Sequence, residues 1–139
     1  MNHGLSAGDR RFREEFEAGR LTPAEFNHRA HVRLAYVYLA EHDTGTAIDL
    51  MRGALQGFLR QHGIPETKYH ETLTVAFMCL VNAHRRRGRY ADWPEFARLN
   101  PELFDSRLLR QYYDPATLAS PLARTTFVLE KLRSPVPAA

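Results

Sequence analysis

The chain has 139 residues, 19 of them Lys or Arg against 16 Asp or Glu, a formal charge of +3, and one cysteine. This length suits a single domain with a real core, because roughly 68–70% of the unfolded surface is hidden at about this size. A lone cysteine excludes a disulfide within the chain. No 18 apolar residues run together, and the first 30 residues carry Asp9-Arg10-Arg11-Phe12-Arg13 in place of an apolar leader. The expectation is therefore a cytoplasmic protein with no membrane span.

In chain order the signals are all helical. Asp9 to Ala18 reads as a short charged helix with Phe12 and Phe16 at i,i+4, closed by Gly19. Thr22 as N-cap, Pro23 at the first helical position, Glu25 completing a capping box, and Leu21 with Phe26 as a hydrophobic staple predict a helix from Thr22 to about Glu41. Thr44 or Thr46 opens a third, whose apolar stripe runs from Ala47 through Met51 and Leu55 to Leu59 before Gly63. A fourth begins near Thr67 and ends at Gly88. Cys79 within it reads as a small buried hydrophobe. The run His84-Arg85-Arg86-Arg87-Gly88-Arg89 reads as a cationic helix end with Gly88 in a left-handed cap, and no aromatic interleaving makes it a nucleic-acid patch. Short pieces follow at Asp92–Phe96, Ser106–Tyr113 and from Ser120-Pro121, with an extended tail from about residue 134. The predicted fold is one all-α domain spanning 1–139, a bundle of about four main helices with short irregular helices after them.

Histidines mark the candidate site. His28 and His31 stand three apart, so they share one helix face at roughly 5–6 Å between Cβ atoms. His70 opens the fourth helix on the face of Leu73 and Phe77, with Glu71 turned about 100° away. Three inward imidazoles suit a divalent transition metal such as zinc, iron, copper or nickel, and Glu71 is placed to act as acid/base or to orient a ligand. Two other readings stand beside this one: a metal-free polar cluster that binds a ligand or catalyses, and a hydrogen-bond network that fixes helix register. The second histidine of His-Glu-x-x-His is missing, and so is the paired Glu-x-x-His pattern of di-metal bundles.

The blocks Phe26-Asn27-His28-Arg29-Ala30-His31-Val32-Arg33-Leu34-Ala35, Tyr69-His70-Glu71-Thr72, Tyr112-Tyr113 and Ser120 to Arg124 resemble a family of small bacterial helical proteins that is itself uncharacterised. The resemblance spans roughly residues 21 to 128. It implies a stand-alone helical domain and adds Arg33, Tyr69 and Arg124 as residues lining a site for a small-molecule substrate. The functional expectation is a metal-binding helical protein, extending to a metalloenzyme on a small organic substrate. The alternative is a non-catalytic ligand-binding or interaction module. No nucleic-acid or membrane partner is expected, and oligomeric state is not legible.

Overall fold

Between Val32 and Ala40 the only charged residue is Arg33, and the other eight side chains are all buried. A helix apolar on every side belongs in the middle of a fold, and this one does. In the computed structural model, which describes residues 5–129, α2 (His28–Glu41) is packed by α1 (Ala7–Glu17), α3 (Thr44–Gln61) and α4 (Glu71–Arg87). The remaining helices are α5 (Trp93–Leu99), α6 (Pro115–Leu118) and α7 (Pro121–Thr125), with 3₁₀ turns at Glu66–Lys68, Pro101–Phe104 and Leu108–Gln111. The all-α class is as expected, and no strand occurs among the described residues. The tail expected from about residue 134 lies outside them.

Helix boundaries follow local hydrogen-bond chemistry. Ser6 and Asp9 form a reciprocal capping box that starts α1, and Gly19, at φ +79°, ends the chain's first turn of direction. The box between Thr22 and Glu25 also forms, but it encloses a single turn, and the expected start of α2 at Thr22 is corrected to His28. Asn27 is the cause: its backbone is extended, and its side-chain oxygen accepts from Ala30 N at 2.9 Å, giving the helix a fresh N-cap. Asp43 caps α3, and Gly63 closes it at φ +64°. The fourth helix starts at Glu71, later than Thr67, because His70 is its N-cap. Gly88 sits at φ −145°, so the left-handed cap expected there is absent. Cys79 is exposed, contrary to its reading as a core residue.

Aromatic rings fix how the helices meet. Phe16 of α1, Phe26 and Phe58 of α3 form a triangle with centroids 4.4–5.2 Å apart. Elsewhere along α2, Tyr36 packs on Trp93 and Phe96 of α5 at 5.3 and 4.9 Å. Each contact of this kind adds roughly 0.5–1.5 kcal/mol beyond the area it buries.

The C-terminal third is held to the bundle by the residues that start α4. His70 Nδ1 accepts from Leu73 N at 3.2 Å, so its Nε2–H donates to the carbonyl of Leu118 at 2.7 Å. Glu71 receives Arg52 of α3 in a fork, with Nη2–Oε2 at 2.7 Å and Nε–Oε1 at 3.0 Å. The fully buried Thr72 acts as a peptide would: its hydroxyl donates to Thr126 O at 2.8 Å and accepts from Val128 N at 3.0 Å. Tyr113 Oη then donates to Val128 O at 2.6 Å. Thr72→Val keeps shape but removes two hydrogen bonds, each contributing roughly 0.5–1.5 kcal/mol, so urea unfolding should show a loss of about 1–3 kcal/mol. Thr72→Ser, which retains the hydroxyl, should lose less. A valine variant as stable as the parent would show that the 126–128 segment is held by something else.

Candidate functional site

The three histidines do not form a tripod. His28 Nε2 donates to the carbonyl of Leu103 at 2.9 Å, and both nitrogens of His70 are engaged by backbone groups, as described above. His31 lies between Phe26 and Phe77, with ring centroids at 5.4 and 5.8 Å. Among the described residues no group of three or more His, Cys, Asp or Glu side chains is placed to hold a metal ion. The metal site is therefore corrected, and the metalloenzyme reading that rested on it falls too. The physical reason is plain at His70: an N-cap imidazole uses one nitrogen on its own helix, and here the other ties down a distant carbonyl.

Arg33, expected near a substrate, points to the first helix instead. Its Nε and Nη2 donate to Asp9 Oδ1 at 3.1 and 2.7 Å, and its guanidinium lies 4.8 Å from the ring centre of Phe12. Asp9 is buried and also belongs to the cap of α1, so this ion pair docks α1 on α2.

The other three expected residues do meet. Tyr69, Glu71 and Arg124 line one surface groove of about 620 Å³, together with Arg52 and Gln56 of α3 and Thr125 of α7. The 3₁₀ turn Glu66–Lys68 supplies the floor between α3 and α4, and the short α7, started by Ser120 and Pro121, supplies the far wall. Arg124 is fixed there by Nη1, which donates to Thr67 O at 3.1 Å.

Electrostatics divide the groove into a neutralised side and a cationic side. Glu71 Oε1 accepts from Tyr69 Oη at 2.5 Å while Arg52 grips the carboxylate, and these bonds, Arg52 foremost, hold its pKa below the usual glutamate range. Burial, followed by the bond to Glu71, pushes Tyr69 up to about 12, so the phenol stays protonated at neutral pH. Arg52 is raised in turn by Glu71 and also donates to Asp49 at 2.7 Å. Glu66 turns to Arg60 at 3.1 Å. Among the lining residues this leaves Arg124 without a carboxylate partner in the described structure.

Arg52 and Gln56 were not singled out from sequence, although a signal was present: both are polar, and their i,i+4 spacing puts them on one face of a helix whose other positions are largely apolar. His84, expected in solvent at a helix end, is buried and its Nδ1–H donates to Asn100 Oδ1 at 2.8 Å. The Glu71 arrangement carries a pH signature. A carboxyl whose folded pKa is depressed adds stability that is complete above its unfolded value and is lost as the pH falls through the folded one. The parent's stability margin over Glu71→Gln should therefore be full near neutral pH and shrink as pH drops below about 4.5, the ordinary glutamate value. Parallel denaturation curves for the two proteins across that range would refute the linkage.

No protein-family model, no curated protein and no solved structure matches this chain, so its function has to be read from the groove itself.

Proposed function

We propose that this protein binds a small organic carboxylate in the groove between α3, the start of α4 and α7, with Arg124 as the anchoring group. One observation carries the reading. Arg124 is tethered through Nη1 alone, which leaves its Nε–Nη2 edge to a ligand in a groove whose other charges are already matched. That edge presents two parallel N–H donors, the geometry that a carboxylate accepts in bidentate fashion. Gln56 and Thr125 add neutral donors and acceptors around it. Tyr69 stays protonated and hydrogen-bonded to Glu71, so it contributes an apolar ring and a fixed wall.

In this reading Glu71 is an anchor for Arg52 and no proton transfer is assigned to it. The protein is a binding module for a small acid, and no reaction is attributed to it. Kinship with the small bacterial helical proteins is part of the same proposal, supported by the Tyr69–Thr72 and Ser120–Arg124 blocks, whose residues build this groove. A cytoplasmic setting is supported by the lone cysteine.

The test is a titration with acetate and succinate at constant ionic strength, with chloride as control, followed by amide chemical shifts. Shifts should concentrate at Thr67, Arg124 and Gln56. Hydrogen bonds to a charged group contribute about 1.5–3 kcal/mol, so Arg124→Gln should weaken binding by roughly 10- to 100-fold. Succinate and acetate shifts no larger than those from chloride, or an unchanged affinity in the Arg124→Gln protein, would remove the proposal.

A further inference from the structure

His31 differs from the three histidines that brace the bundle, and His62, whose buried Nε2 also lacks a partner among the described residues, lies outside the cavities that His31 lines. His28, His70 and His84 each hold a carbonyl oxygen, whereas neither ring nitrogen of His31 has a hydrogen-bond partner among the described residues. Its half-buried ring lines two cavities at once. One, of about 250 Å³, is walled by Phe26, Leu55, Phe58, Leu59 and Leu73. The other, of about 170 Å³, lies on the side of Phe77, Leu108 and Leu109.

We infer that the larger cavity is a binding site for a small uncharged ring compound bearing a hydroxyl group, which hydrogen-bonds to His31. Small-molecule sites combine apolar walls with a few placed polar groups that fix orientation, and this cavity has that makeup. The hydroxyl of Thr74 donates to His70 O, Tyr69 donates to Glu71, and His70 is engaged at both nitrogens. Of the aromatic and hydroxyl groups at the wall, His31 alone is thus left to orient a guest; Lys68 is exposed at the rim. Size sets the guest: an apolar cavity of roughly 150 Å³ holds benzene, so 250 Å³ accommodates one substituted ring.

Charge sets it as well. Burial, with His28 as a lesser cause, pushes the pKa of His31 down to about 4, so the ring is neutral at physiological pH and offers one acceptor nitrogen and one N–H. A hydroxyl complements both, donating to one or accepting from the other. An anion gains nothing from a neutral imidazole, which separates this cavity from the carboxylate groove on the far side of Tyr69. The inference does not rest on that groove.

The experiment titrates the full chain with 4-methylphenol and, separately, with toluene, which fills the same volume without a hydroxyl. Calorimetry gives the affinities, and imidazole ¹⁵N shifts identify the contact. The expected result is that 4-methylphenol binds roughly two- to tenfold more tightly than toluene, the range equivalent to one neutral hydrogen bond, with the His31 nitrogens moving and those of His28 and His84 still. His31→Leu and His31→Gln should then separate the roles: leucine equalises the two probes, and glutamine keeps part of the preference. Equal binding of the two probes, no binding of either, or His31 nitrogens unmoved at saturation overturns the inference without touching Arg124. The parent comparison requires no variant to fold.

Discussion

Three consecutive side chains, His70, Glu71 and Thr72, hold the second half of this molecule to the first. Helix α4 needs a cap at its N-terminus, since its first backbone N–H groups have no partner within the helix. His70 supplies it and uses its remaining N–H on the carbonyl of Leu118. Glu71 takes Arg52 from α3, and Thr72 completes the pairing of Thr126 and Val128. The short helices after residue 100 have few residues each and cannot be stable by propensity. They persist because their polar backbone is tied to this junction at Leu118, Thr126 and Val128 and to His28 at Leu103, and because apolar side chains, Leu103, Leu108 and Ala123 among them, are buried.

The groove is a by-product of that junction. Arg52 and Glu71 are partly withdrawn from water, and removing charge from water is costly unless partners and geometry compensate. The fork between them, the bond from Tyr69 and the bond to Asp49 compensate nearly every donor and acceptor on that side. What remains is a rigid wall. Arg124 on the opposite wall rides on a five-residue helix that is itself capped by Ser120 and packed on α4. A guanidinium whose position is set by one main-chain carbonyl loses little freedom on meeting a ligand, which favours binding through preorganisation.

The helical class was legible in the sequence because the apolar residues recur at helical spacing and no segment alternates. The central place of α2 was visible only in part. A stripe through Ala35, Tyr38 and Leu39 marks one face, yet the whole run from Leu34 to Ala40 is buried, and the surrounding helices that bury it are matters of tertiary arrangement. The start of α2 was misplaced because two valid capping signals stand five residues apart, at Thr22 and Asn27, and the chain uses both, one for a turn and one for the helix. The groove was legible in three of its residues, Tyr69, Glu71 and Arg124. Its central cation, Arg52, was not singled out: its i,i+4 spacing with Gln56 marks a polar face of α3, but that spacing does not name Glu71 as the partner.

The histidines explain why the metal reading failed while the attention it drew was well placed. Pattern reasoning puts His28, His31 and His70 on inward faces, and an inward imidazole must find a partner. It does not say whether the partner is an ion, a carbonyl or a guest molecule. A backbone carbonyl within reach of Nε2 is the nearest solution in a bundle whose C-terminal pieces are short 3₁₀ turns and four- or five-residue helices, because these leave carbonyls unbonded where longer helices would not. Leu103 and Leu118 lie in such pieces, and each is met by a histidine. His31 faces no such carbonyl: its neighbours are Phe26 and Phe77, which offer only ring faces and edges. The same residue type thus braces irregular backbone at Leu103 and Leu118, and at His31, set between aromatic side chains, it retains an open hydrogen-bonding capacity.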